Sequence, residues 1–359
     1  MEPATPDRKA TWRRLKKNKG ALFGIGLIAL ALLVALAGYF IAPDPSPFAN
    51  RIILEVGGRK PGFEQSFLLV KKPQGVLEAN VLERALSGRP DAFQWIPVTN
   101  WKEQGGQVRV QRYIDEGVSE PLDFNRKELP EDYIITKRFL LGTDKYGRDI
   151  LSRLIIGTRV SLSVGLITVL ISLTVGIVLG ALAGYFRGRV DNAVMWLINI
   201  IWSIPTLLLV FAVTLLLGKG FWQVFVAVGL TMWVNVARLV RGQVLVAREL
   251  QYVEAAQVLG FSHARIISRH ILPNIMGPVL VIAASNFASA IVIEAGLSFL
   301  GVGVQPPQPS WGLMIKENYN FIITQNPMLA LAPGFAIMLL VLAFNLLGNG
   351  LRDALDVRG

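Results

Sequence analysis

Gln251-Tyr252-Val253-Glu254-Ala255-Ala256-Gln257-Val258-Leu259-Gly260, running on to His270-Ile271-Leu272-Pro273-Asn274, is a polar interlude in an otherwise apolar chain. It reads as two short helices. Tyr252, Ala255, Ala256 and Leu259 fall on one helical face, and Gly260 suits a left-handed stop. Ser262 is placed to cap a second helix, and Pro273 to end it. Each piece is about ten residues long, too short to be stable alone in water. Its apolar stripe must therefore be buried, either against the protein's own helices or in a groove on a partner. The spacing alone leaves both open.

The surrounding chain is of a kind that bears on this choice. Of 359 residues, 52% are hydrophobic and only 17% charged, which describes a multispanning membrane protein rather than a soluble one. A net charge of +11 raises nucleic acid as a partner, but the bases are not interleaved with aromatics in one patch. They gather beside apolar runs, where lipid headgroups and topology account for them. The absence of cysteine excludes disulfides and thiolate metal sites. The two histidines, His263 and His270, offer too few ligands for a metal site. No Gly-x-x-x-x-Gly-Lys-Ser/Thr occurs, so the chain cannot cradle ATP phosphates in the P-loop manner.

Six spans are expected. Residues 1–20 are a basic lead with Arg8, Lys9, Arg13, Arg14, Lys16, Lys17 and Lys19, and residues 21–42 form the first span. A signal peptide is the rival reading of that span; its apolar run would be too long, and no small-residue cleavage pattern precedes Pro43-Asp44-Pro45. Val160 to Tyr185, Ala193 to Leu217, Trp222 to Leu239, Gly277 to Gly301 and Met328 to Leu347 supply the rest. Arg187 and Arg189, then Arg238, Arg241, Arg248, Arg265 and Arg269, then Arg352 and Arg358 all fall on the side of the basic N-terminus. The positive-inside rule then places both termini and the 248–274 loop in the cytoplasm, in a multi-pass protein of the cell membrane.

Residues 43–139 change character, with charges of both signs and many Gly and Pro. They are expected to form an extracytoplasmic α+β or mostly β insert. Ile52 to Val56, Ser66 to Lys71 and Gln107 to Tyr113 read as strands, Val76 to Leu86 as a helix, and Asn125 to Arg138 as a charged linker. Gly142-Thr143-Asp144 through Asp149 reads as a turn feeding an interfacial amphipathic helix, with Asp144 as its cap.

Within the spans, Pro205 is expected to kink the third. Gly176, Gly180 and Gly184 form a stripe that lets another helix approach closely. Glu294 is costly inside a membrane, so it either lines a path or joins two helices through a hydrogen bond. Gln305-Pro306-Pro307-Gln308-Pro309 is a stiff connector.

Glu254-Ala255-Ala256, Gly260 and Leu272-Pro273 closely resemble the EAA-Gly-LP signature of ABC importer permease subunits. His270, where the generic signature has isoleucine, matches the His-Ile-Leu-Pro-Asn of the dipeptide and oligopeptide branch. Gly142 to Asp149 with its continuation, Glu294 to Gly301, and Asn345 to Asp356 are similar to the same branch. Departures are Leu140-Leu141 for its usual His-Pro, Trp196 and Asn199 for an Arg and an Asp, and Asn349 and Val357 near the end. The resemblance covers 142–356 almost continuously and leaves out the insert. It implies an all-α six-helix permease core over 140–359. Glu254, Ala255, Ala256, Gly260, His270, Leu272 and Pro273 would couple to the ATPase. It also implies a C-type subunit without catalysis or cofactor, paired with a homologous B-type permease, two ATP-binding subunits and an external solute-binding protein. Peptides are the implied substrates; oligosaccharides or nickel are the alternatives, and an ATP-independent channel or a membrane sensor are rivals of other classes.

Overall fold

In the computed structural model, residues 8–73, 80–218, 220–323 and 326–355 are described. In chain order the first helices are α1 (Arg8–Lys17), α2 (Lys19–Ile41), α3 (Val81–Ser87), α4 (Ile150–Phe186), α5 (Gly188–Trp202) and α6 (Thr206–Leu217). They are followed by α7 (Phe221–Ala247), α8 (Gln251–Val258), α9 (His263–Arg265), α10 (Leu272–Leu300), α11 (Trp311–Asn318) and α12 (Met328–Leu355). The strands are β1 (Phe63–Lys71), β2 (Phe93–Gln104), β3 (Gln107–Asp115), β4 (Val118–Asn125) and β5 (Ile134–Phe139). Two compact units result, one of residues 1–31, 161–305 and 337–359, the other of 32–160 and 306–336.

Among the described residues five helical runs are long and apolar enough to cross a membrane: α2, α4, α7, His263–Leu300 and α12. A sixth is made if α5 and α6 count as one span, and these two are bent by 93°. The expected kink at Pro205 is thus a full break. Pro205 is extended at the start of α6 with ψ 126° and contributes no N–H, so the α5 ladder closes at Ser203.

Three further boundaries depart from expectation. No separate interfacial helix precedes the second span, because α4 runs unbroken for 37 residues, about 55 Å at 1.5 Å per residue. Its first turn is closed by Asp149, whose carboxylate accepts from the Ser152 N–H at 3.0 Å, and not by Asp144. The helix after the polar interlude does not stop at Pro273 either. Ile266–Ile271 form a π-helical turn, with Leu272 N–H bonded back to the Ile267 carbonyl, and Pro273 sits in the first turn of α10. A wide turn just before a proline relieves the clash of its ring with the preceding carbonyl.

The helical unit is tied together by close glycine contacts. A Cβ at Gly176, Gly180 or Gly184 would lie 2.5 Å from Val236 Cβ, 2.4 Å from the Ala237 carbonyl or 2.7 Å from the Arg241 carbonyl. The stripe therefore packs α4 against α7 of the same chain. At the other end of the sequence Asn18 donates to Asp353 at 3.0 Å, and Leu15, Ala21 and Ala354 are buried together, joining α1 and α2 to α12.

In the second unit the five strands form one antiparallel sheet in the order β4-β3-β2-β1-β5. Leu68, Val98, Val108, Val110 and Leu129 fill one core, and Ile53, Val56, Phe67 and Phe139 another. Expected strands 66–71 and 107–113 lie inside β1 and β3. Residues 52–56 do not form a strand; Leu54–Val56 is a 3₁₀ turn, and the segment bonds to the loop before α4 through Ile53 N–H to the Tyr146 carbonyl at 3.0 Å. The expected linker contains β5, whose alternating Ile134, Thr136 and Arg138 pair with β1. The expected helix is shorter, as α3, and residues 76–79 of that expectation lie outside the described residues.

The 142–149 segment is a buried polar knot. Asp144 is fully buried and accepts from the Tyr146 and Arg148 N–H groups, both at 2.9 Å, and from Arg148 Nε at 2.6 Å. Arg148 also donates to Glu317 at 2.7 Å and to Asn50 at 3.2 Å. Gly147 has φ +74°, and a Cβ there would stand 1.7 Å from the Ile53 carbonyl, so no other residue fits. Nearby, burial pushes the Asp149 carboxyl up and the Lys137 ammonium down.

Candidate coupling helix and translocation cavity

The interlude resolves into a helix with two working faces. Leu250 is extended and starts α8, and the helix ends in a left-handed glycine stop. Gly260 has φ +76°, its N–H bonds the Gln257 carbonyl at 2.9 Å, and the Phe261 N–H bonds the Ala256 carbonyl at 3.2 Å. This is the paired 5→2 and 6→1 arrangement that satisfies the last carbonyls of a helix. Ser262 has the extended backbone of a cap, but its side chain makes no capping bond.

The stripe of Tyr252, Ala255, Ala256 and Leu259 is divided between two faces, with Ala256 buried, Tyr252 half-buried, and Ala255 and Leu259 exposed. Val253 and Ala256 are buried in a core built with Val240 and Val244 of α7, Ile266 and Ile271 of the π turn, and Ile275 of α10. Glu254, Ala255, Val258 and Leu259 are exposed, Val258 at 88% and Leu259 at 71%. The chain's own bundle thus takes one stripe, and a second apolar and acidic face stays open.

Polar ties fix α8 to the spans on either side. Asn274 donates to Tyr252 Oη at 3.1 Å and to the His270 carbonyl at 2.8 Å. His270 stacks on Phe261 with ring centroids 5.7 Å apart. His263 Nδ1 shares a hydrogen bond of 2.9 Å with Tyr185 Oη, and Arg248 donates to the Tyr185 carbonyl. Arg187 donates to Glu249, and this bond holds the Glu249 carboxyl below its ordinary range. Leu272 is half-buried, and Pro273 is exposed.

In the same unit the α5–α6 break opens a cavity of about 410 Å³ between α5, α6, α7, α10 and α12. Its wall is apolar through Trp202, Met232, Val292 and Ile293, with Thr206, Thr231, Asn235, Ser289 and Asn345 as polar groups and no charged residue. Glu294 does not line it. That residue is buried at the end of α10, where Ser298 Oγ donates to Glu294 Oε1 at 2.6 Å and accepts from the Val304 N–H at 3.0 Å. A larger depression of about 800 Å³ lies on the sheet, but its charges are engaged with each other, Arg51 with Asp91 at 2.5 Å and Arg112 with Glu55 at 2.6 Å.

The cavity-lining residues are the ones that sequence reasoning missed. Serine and threonine in a span satisfy their hydroxyls on their own helix, as Thr231 does on the Val228 carbonyl at 2.8 Å, and so leave no pattern. Asn235 and Asn345 were legible as uncommon amides within apolar runs.

Residues 176–358 match the family described as binding-protein-dependent transport system inner membrane component. Residues 8–53 match the N-terminal TM domain of oligopeptide transport permease C. The dipeptide transport system permease protein DppC of Bacillus subtilis is 41% identical over 354 residues, 99% of this chain and 87% of that protein. The chain belongs to the binding-protein-dependent permease family. A second relative of this permease, the DppC of Lactococcus lactis, is 32% identical over 99% of this chain and 92% of its own length. The glutathione transport system permease protein GsiD of Pectobacterium atrosepticum is 44% identical over 60% of this chain and 71% of that protein. The permease is thus a multi-pass membrane protein and the membrane component of an ABC importer, with a small antiparallel sheet following its first long apolar helix, α2.

Proposed function

We propose that the permease forms one half of a peptide-conducting pathway in the cytoplasmic membrane, paired with a second permease, driven by two ATP-binding subunits, and supplied with substrate by an external binding protein. It performs no covalent chemistry itself. Both termini and α8 face the cytoplasm in this reading, which rests on the arginines of the 187–189, 238–269 and 352–358 stretches. Residues 43–139 then lie outside.

The two-faced α8 is the observation that carries the proposal. A helix anchored by Val253 and Ala256 in the core of its own spans, and presenting Glu254, Ala255, Val258 and Leu259 outward, can transmit a partner's movement to α7 and α10. Gly260 and the His270–Phe261 stack hold the turn, while Leu272 and Pro273 start the span that receives the motion. Peptide as substrate is supported by the dipeptide and glutathione transport systems to which the relatives belong, and by a cavity whose uncharged amides and hydroxyls suit peptide groups of any side chain.

Glu294 enters as a positioning residue: through Ser298 it holds the loop that closes α10 beside the cavity wall at Ile293. In vesicles carrying the assembled transporter and its binding protein, labelled dipeptide should accumulate only with ATP. Glu294→Gln should assemble normally and import more slowly. Import without ATP would remove the importer reading, and import by Glu294→Gln at the wild-type rate would remove Glu294 from the pathway.

A further inference from the structure

Arg238 is a cation inside α7 that no acid neutralises among the described residues. One turn further on, Arg241 is held by a two-point contact with Asp191 at 2.5 and 2.6 Å. Arg238 instead lies flat on Trp202, its Cζ 3.5 Å from the ring centroid, and its Nε is buried without a hydrogen-bond partner. The side chain is half-buried: its Nε edge is packed away while its terminal nitrogens are not, and a guanidinium held flat on a ring in this way presents planar donors that match a carboxylate or phosphate.

The surroundings identify which oxyanion. Trp202 is a wall residue of the 410 Å³ cavity, and Asn235, three residues before Arg238 on α7, lines the same wall. The first turn of α6 lines it too, through Thr206 and Leu209, and the N–H groups of a helix's first turn add to a positive potential there. The lining itself carries no charge, and Arg238 adjoins it only through Trp202. We propose that Arg238, laid on Trp202, is the subsite at one end of this cavity that receives the terminal carboxylate of a passing peptide. Asn235 and Ser289 then meet its amide groups. The inference rests on the reading of the cavity as the substrate pathway. It adds a chemical selection to that reading: a free carboxylate is required at one end and no particular side chain is required elsewhere.

The test uses the assembled transporter without its binding protein, in detergent at neutral pH, and reads the fluorescence of Trp202 as the difference between wild type and Trp202→Phe. The probes are L-alanyl-L-alanine and its C-terminal amide. The free acid should change the Trp202 signal at a concentration about tenfold or more below that of the amide, the range expected for a charge-assisted hydrogen bond. Arg238→Gln should bring the two curves together with the amide's response retained. Equal responses to acid and amide in wild type would overturn the carboxylate subsite and leave the pathway reading intact. No response to either probe would overturn both. A response to phosphatidylglycerol micelles and not to the dipeptide would overturn the proposal in favour of a lipid-headgroup contact.

Discussion

Gly180→Leu should remove the folded permease from the membrane fraction. A Cβ at this position already falls 2.4 Å from the Ala237 carbonyl and 2.9 Å from Val240 Cβ, and real side chains do not approach a backbone carbonyl so closely. The two helices cannot separate locally, because Gly176 and Gly184 press against α7 one turn away on each side. Overpacking costs about 1–3 kcal/mol, and more where, as here, backbone blocks relaxation. The check is the yield and melting temperature of detergent-solubilised protein, with Gly242→Ala as the control, since nothing lies within 4 Å of a Cβ at Gly242. A Gly180→Leu protein melting with the wild type would refute the account of α4 against α7.

The second large effect is expected at Asp144. Its carboxylate accepts two backbone N–H groups and Arg148 Nε, and it lies 3.9 Å from Arg153 Nε. Arg148 and Arg153 are almost wholly buried, and Glu317 serves both, at 2.7 and 3.4 Å. Asp144→Ala leaves two buried guanidinium groups sharing one acid. Breaking a buried ion pair from one side costs about 3–5 kcal/mol, most of it the desolvated charge left behind. Protection of the Gly142–Arg153 amides from hydrogen exchange should fall sharply in the variant, while that of β3 should not. Unchanged protection would show that the knot is held by the backbone alone.

That knot marks the limit of what the sequence discloses. Gly142, Asp144, Gly147 and Arg148 are visible as a motif, and a turn is a fair reading of it. Glu317, the acid on which its arginines converge, stands 169 residues away from Arg148 with nothing local to mark it. The spans, the glycine stripe and the Gly260 stop were legible because each depends on a short-range rule: length, four-residue spacing, or the need for positive φ. The insert was half legible. β1 and β3 carry most of the buried residues of the sheet, but β4 is an edge strand, mostly exposed and holding Pro121. β2 contains Pro97 next to an irregularity at Val98–Asn100, and proline argues against a strand when read from sequence.

Which face of α8 turns inward was left open for a related reason. Helical spacing names the stripes that can be buried, but not which of two stripes meets the bundle. Val253 and Ala256 form one, Ala255 and Leu259 the other, and contacts from α7 and α10 decide between them. The unused stripe remained exposed, which is how the same eight residues can serve both their own spans and a partner.

The most direct measurement is purification of the permease co-expressed with the ATP-binding subunits proposed as its partners, comparing wild type with a Glu254→Lys/Gly260→Val double variant. Glu254 is exposed on the free face, and valine cannot easily adopt φ +76° at the stop. The wild type should carry bound ATPase whose hydrolysis responds to binding protein and peptide. The double variant should still fold and insert, melting somewhat lower because of the strained stop, and should lose the ATPase or its response. A double variant that keeps a fully responsive ATPase, or a wild type that binds none, would contradict the assignment of α8 as the coupling helix.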